Sequence, residues 1–431
     1  MTIESAWARA SLLGALALAA AVSASADEIQ YALQGGVNYS DNVERQPTNE
    51  QDSAAAVAGI ELIGERTTGR FRYDVEAHWA YFDYFESDVP DQDYGRILAF
   101  SSYDFVPERL QWTLAGSFDQ GRPDLLRPET PRNIEDVITL ATGPVLRLNL
   151  SEAMEALVEG HYVVADYSER DFDNDTIGGS VVIGRRLAER SLIGIGGSYD
   201  EVSYDTATSP TTPDFDRSEA FLRLNLVGSR TTIDADIGYA KIEGEGFDDS
   251  GLMVRLEAER QLTPYVSAFI GYIQEYPTSE GGALAEGARG ITSDASVLTA
   301  GPREAKSSTV GFRMDRPRTA AQIAYARREE SVLLDPASRD YNEVRGFASR
   351  MLSARSSVRI LAAYAWEDFS AAEDYDEFSV GAAMNVALGR MLSLDVQVEH
   401  RERDSDLFTN TYSELSGGIF LRYGTANAAG F

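Results

Sequence analysis

Residues 70–83 read RFRYDVEAHWAYFD. In an extended chain Phe71, Tyr73, Val75, Ala77, Trp79 and Tyr81 fall on one face, and Arg72, Asp74, Glu76, His78 and Ala80 on the other. Such period-2 alternation defines a strand whose two faces meet different surroundings. About twenty segments of this kind follow one another along the chain, and their connections alternate between tight and long. That rhythm predicts an all-β fold: one antiparallel up-and-down transmembrane barrel of about 20 strands, within a range of 18–22.

The predicted upward strands are 29–40, 70–82, 110–119, 155–166, 191–203, 231–242, 265–275, 320–328, 356–367 and 392–402. The downward ones are 54–64, 94–105, 135–150, 176–187, 218–227, 251–262, 307–315, 343–352, 377–388 and 412–423. Tight connections lie at 64–69, 106–109, 151–154, 188–190, 228–230, 263–264, 316–319, 353–355 and 389–391. Long ones lie at 41–53, 83–93, 120–134, 167–175, 204–217, 243–250, 276–306, 329–342, 368–376 and 403–411. Short periplasmic turns opposite longer outside loops are the outer-membrane arrangement. The longest connection, 276–306, is expected to enter the lumen or cover the mouth. No N-terminal plug is expected, because the first strand begins almost at Asp27.

Outside the rhythm, Leu12–Val22 is an apolar run, and Ala24, Ser25 and Ala26 form a small-residue cleavage site. Residues 1–26 therefore read as a secretory signal peptide, and 27–431 as the barrel domain. That run is too short for a membrane helix, and no other stretch approaches the ~18 apolar residues one needs.

The chain has no cysteine, which excludes disulfides and thiolate metal sites and suits export through an oxidising periplasm. Its formal charge is −31, with only Lys241 and Lys306 beside 36 arginines. Such acidity argues against nucleic acid as a partner.

Proline and aromatic residues test the strand assignment independently. Thirteen of 14 prolines fall in predicted connections, as expected for a residue that cannot donate a ladder hydrogen bond. The exception, Pro144, calls for a bulge after Gly143 or a different register. Tyr39, Tyr81, Phe118, Tyr162, Tyr239, Tyr272, Tyr325 and Tyr364 lie on the proposed lipid face near the outer strand ends, and Tyr31, Phe71, Trp112 and Tyr265 near the periplasmic ends. Two aromatic levels match the interfacial girdles of such a barrel.

The opposite face carries the candidate pore lining: Arg72, Asp74, Glu76, Glu159, Arg223, Asp234, Asp236, Arg255, Glu257, Glu259, Arg313, Arg345, Arg359, Asp395, Glu399 and Arg422. An arginine facing lipid costs ~2–4 kcal/mol at the midplane, so these groups must line water or pair with one another. Phe82, Phe221, Phe269, Phe347 and Phe420 also point inward, available to stack on sugar rings or to pack against a plugging loop.

Nothing reads as a catalytic or metal site. His78, His161 and His400 sit on three separate upward strands, without a nucleophile at one level. Asp171, Asp173 and Asp175 resemble the start of a calcium loop, but its twelfth position is Val182 rather than Glu, and the central Gly is missing. No cofactor is implied. The last strand ends SGGIFLRYG, and its Gly418, Leu421 and Tyr423 resemble the terminal signal read by the barrel-assembly machinery.

The segment QYALQGGVNYSDNVER (30–45) resembles the opening of the β-barrel porin 2 family, and the rhythm of acidic loops and turns such as VPER and LTPY extends the likeness. That family consists of outer-membrane β-barrels associated with capsule and exopolysaccharide systems. The resemblance implies a conduit for a secreted polysaccharide, with outer-membrane lipid and lipopolysaccharide around it and a periplasmic polysaccharide-export protein as partner. A diffusion porin for small polar molecules and a non-conducting structural or adhesive barrel are the alternatives.

Overall fold

A computed structural model describes residues 29–85, 88–205, 213–277, 301–334, 337–370 and 373–425. The expected signal peptide, Phe431 and most of 276–306 lie outside the described residues. Twenty strands run in order: β1 Ile29–Ser40, β2 Ser53–Arg66, β3 Phe71–Tyr84, β4 Gln92–Val106, β5 Leu110–Gly121, β6 Glu135–Asn149, β7 Met154–Tyr167, β8 Asn174–Ala188, β9 Ser191–Tyr204 and β10 Phe215–Val227. The second half holds β11 Thr231–Gly244, β12 Phe247–Thr263, β13 Val266–Glu275, β14 Arg303–Arg316, β15 Thr319–Val332, β16 Ser338–Ser353, β17 Ser356–Phe369, β18 Tyr375–Ala387, β19 Leu392–Ser405 and β20 Tyr412–Gly424.

Each strand pairs antiparallel with its chain neighbours, and β20 returns to β1, with Ser416 opposite Ser40 and Gly424 opposite Ala32. The sheet is therefore a closed 20-stranded barrel without a free edge. Tight turns gather at one end with both strand termini, and most long connections gather at the other.

Two local readings change. The connection expected at 243–250 is a two-residue turn, Glu245 and Gly246, and Asp248, Asp249 and Ser250 continue the ladder opposite Glu243, Ile242 and Lys241. Gly246 has φ +88, which a side chain disfavours at this tight reversal. Acidic residues there imitate a loop, but a strand that rises past the lipid can be polar on both faces. Around Pro144 there is neither a bulge nor a changed register. β6 keeps one register with β7, which lacks only the pairs at Gly143 and Pro144. A Cβ on Gly143 would lie 1.8 Å from the Gly160 carbonyl oxygen, so two glycines let the strands close up where proline removes a donor.

The outward face is apolar. Leu33, Val37, Leu114, Ile195, Leu222, Ile270 and Ile360 stand exposed along it. Tyr39, Tyr81, Tyr162, Tyr239 and Tyr364 are exposed at its loop end, whereas Tyr272 and Tyr325 are half-buried. Phe118 differs: it is only 5 % exposed, packed beside Ile97 and against Gly95. Several of these hydroxyls bond to a polar residue on or before the next strand: Tyr81 to Asp91 (3.1 Å), Tyr364 to Asp376 (3.0 Å) and Tyr239 to Ser250 (2.6 Å). From Phe71 to Tyr81 is ten residues, about 33 Å of strand at ~3.3 Å per residue, or about 25 Å of height at a tilt of ~40°. That equals the apolar band of an outer-membrane barrel.

Candidate functional site

Strand pairing sets which side chains share the interior. Glu61 stands opposite His78, Arg96 opposite His78, and Arg255 opposite Asp236, so alternation carries the inward face round the ring. Arg72, Asp74, Glu76, Glu159, Arg223, Asp234, Asp236, Arg255, Glu257, Glu259, Arg313, Arg345, Arg359, Asp395, Glu399 and Arg422 all have this inward parity. They do not form one surface. The interior divides into two walls and an apolar filling.

The first wall runs through β9–β13 and is acidic and cross-linked. Arg223 grips Asp236 with two bonds of 2.8 and 2.7 Å. Arg255 reaches Glu219 at 2.7 Å and Glu275 at 2.5 Å. Arg217 and His161 share Asp200, at 2.7 and 2.8 Å. Bidentate guanidinium–carboxylate bonds fix a plane and brace neighbouring strands. A small cavity of about 270 Å³ opens among Arg223, Asp234, Asp236, Arg255 and Glu257.

Above that wall, inward residues near the loop end are apolar and buried: Val137, Tyr167, Val202, Phe221, Ile242 and Met253. Phe172 and Leu333 from the connections pack on them. They fill that side of the interior, and of them the sequence reading named only Phe221 as inward-facing.

The second wall runs through β16–β20 and β1–β4, and it borders a cavity of about 1500 Å³. The lining begins at the turns Arg316–Thr319 and Ala354–Ser356, passes Arg359, Arg345, Asp395 and Arg422, and ends at Arg45, Arg122 and Glu129 among the loops. It thus extends from one end of the barrel to the other. Eleven arginines line it against six carboxylates, in a chain whose formal charge is −31.

Its loop end is narrowed by the connection 122–134, which holds three prolines. Arg122, next to β5, donates both terminal nitrogens to Tyr375 Oη on β18 at 3.3 Å. Those strands are seven places apart round the ring, so the connection is tied at its first residue to a strand that is not a neighbour of β5. It is held by Asn133, which donates to the carbonyls of Asp124 (2.8 Å) and Pro128 (3.0 Å), and by Arg132, which bonds Glu44 at 3.1 Å. Arg45 bonds Glu414 at 2.8 Å and also donates to the Glu129 carbonyl. Its guanidinium is held above its ordinary pKa by Tyr412, Glu414 and Glu129, although burial alone would lower it.

Beneath Tyr375 lies a buried set of charges. The Tyr375 hydroxyl donates to Glu367, which also binds Arg339. Glu330 takes Arg328 at 2.9 Å and Arg303 at 3.6 Å. Arg403 is 0 % exposed and stacks on the Tyr375 ring, 3.3 Å from its centroid. None of its three side-chain nitrogens makes a hydrogen bond, and Glu377 approaches only to 4.0 Å.

The inward phenylalanines lie flat on the wall. Phe420 covers Gly36 and Gly418, Phe221 covers Gly196, and Phe269 covers Gly311. Guanidinium groups stand over three of them: Arg223 over Phe221 (5.2 Å), Arg313 over Phe269 (5.8 Å) and Arg359 over Phe347 (5.1 Å). Cation–π contact helps to hold these guanidinium groups over the rings, and Arg223 is in addition paired with Asp236. His78 and His400 stand apart, each beside one glutamate (Glu76 at 3.0 Å, Glu402 at 3.9 Å). Among the described residues no group of three His, Asp or Glu side chains converges to hold a metal ion. Asp173 instead accepts the Tyr167 backbone N–H at 2.8 Å. Gly418 points inward, and Leu421 and Tyr423 point outward, on the strand that closes the barrel.

The sequence reading missed Arg45, Arg122, Tyr375 and Arg403 and the role of 122–134 at the mouth, while its expectation for 276–306 falls on residues that are mostly outside those described. The signal present was the density of proline and arginine in 122–134, which stiffens a long connection.

No family model matches this chain, and no curated protein does. Solved structures with a similar course include the FrpB iron transporter from Neisseria meningitidis (11 % identity, 92 % of this chain and 81 % of that one, TM-score 0.47). The siderophore receptor PirA from Pseudomonas aeruginosa (11 %, 93 % and 81 %, TM-score 0.44) and the ferric citrate transporter FecA (10 %, 91 % and 78 %, TM-score 0.45) are others. At this identity and these scores the likeness carries no argument about activity.

Proposed function

We propose that this chain is a bacterial outer-membrane conduit, with its tight turns in the periplasm and its long connections outside. An apolar outer band about 25 Å high between two aromatic levels supports the membrane reading. The observation that carries the conduit is the single cavity lined from the turns at 316–319 and 354–356 to Arg45 and Arg122. We propose further that its cargo is a secreted polysaccharide, the reading suggested by resemblance at 30–45. No residue is assigned a catalytic role. Deleting the gene and measuring cell-surface polymer tests this: loss of surface polymer with normal growth supports export, and unchanged polymer defeats it.

A second reading, a diffusion porin for small polar solutes, is favoured by the connection 122–134, which narrows the loop end. Slower uptake of small solutes, with normal surface polymer, would select it.

A further inference from the structure

We infer that the polymer carried is anionic, bearing carboxylate or sulfate groups, and that the charge arrangement along the barrel axis favours movement from the turn end to the loop end. This rests on the conduit reading above and names its substrate class.

Two independent observations support it. The end-to-end cavity carries eleven arginines and no lysine, against six carboxylates, although carboxylates outnumber cations in the chain as a whole. Arginine's planar fork matches carboxylate and sulfate oxygens in pairs, so a wall of arginines recognises a repeated anionic group better than point charges would.

The two ends differ in sign. Between strands at the turn end, Arg70, Arg109, Arg190, Arg230, Arg318 and Arg355 each occupy the residue just before an upward strand. All six are exposed and form no ion pair among the described residues. Apart from the arginine-rich 122–134, the described connections at the loop end are mostly acidic, with Asp41, Glu44, Glu50 and Asp52 in the first alone. An anionic chain would be gathered at the turn end and repelled from the surface on leaving. Clefts lined by one sign focus the field and raise the local concentration of the opposite charge.

The test uses full-length protein in planar bilayers. In a KCl gradient the reversal potential should report anion selectivity. Oligogalacturonate should block current at a concentration at least tenfold lower from the turn side than from the loop side, and neutral maltodextrin of equal length should block poorly from both. Replacing Arg316, Arg318 and Arg355 by Gln, all at the exposed turn end, should reduce the selectivity and abolish the sided difference. A conducting barrel that prefers cations, or is blocked equally by both sugars, overturns the anionic cargo and leaves the conduit intact. A silent barrel overturns both.

Discussion

At the loop end of this barrel most arginines are buried and paired, and at the turn end they stand bare. Arg45, Arg170, Arg217 and Arg339 each hold a carboxylate and are largely shielded from water. Arg70, Arg109, Arg190, Arg230, Arg318, Arg355 and Arg390 are exposed and unpaired among the described residues. One residue type therefore does two jobs. Buried and paired, it ties connections across the mouth; exposed, it contributes field without rigidity. Stability should respond to changes at the first end, and ion selectivity to changes at the second.

The largest expected effect is at the locked end. Glu367→Gln removes one of the two carboxylates that hold buried Arg339, the other being Glu330 at 3.8 Å, and breaking a buried pair costs about 3–5 kcal/mol. Urea titration of the folded-to-unfolded gel shift should show a clearly lower midpoint; an unchanged midpoint would break the contrast. Tyr375→Phe comes next. It removes the hydroxyl between Arg122 and Glu367, at a cost of about 1–3 kcal/mol for buried partners left unmet. It should also free 122–134, giving larger and noisier single-channel currents.

At the bare end, Arg355→Gln should change the unfolding free energy by less than about 0.5 kcal/mol, as surface changes usually do, and leave the urea midpoint nearly unmoved. Its effect should appear in the reversal potential. An effect on stability as large as that of Glu367→Gln would erase the distinction between the ends.

The smallest effect concerns Asp173, in the acidic connection after β7. Burial, with Asp166, Asp205 and Asp171 nearby, holds its carboxyl above the ordinary range. A raised folded value favours the protonated form, so this contribution to local stability is present below the unfolded pKa of about 3.9 and is lost as pH rises through the folded value. Protease cleavage at 168–173 should increase modestly over that window, and Asp173→Asn should flatten the dependence.

Strand number, strand direction and the inward parity of sixteen charged residues were legible because period 2 is a local property, as 70–83 demonstrates. Proline placement was legible for the same reason, and even Pro144 keeps its register once Gly143 and Gly160 are seen together. The division of the interior was not legible. Alternation assigns Val202, Ile242 and Arg359 to the same face, but only closure of the ring decides which of them meet an apolar cluster and which border the cavity. Likewise Arg122 and Tyr375 are 253 residues apart, and no periodicity links a connection to the strand it reaches. The turn at Glu245 and Gly246 was misread because acidity indicates solvent, not the end of a ladder.

Single-channel recording of the purified full-length protein tests the central claim most directly. A cavity lined from turn end to loop end predicts discrete conductance steps that carry more chloride than potassium and increase when residues 123–131 are deleted. A barrel that folds and inserts yet passes no current, with and without that deletion, would contradict the account.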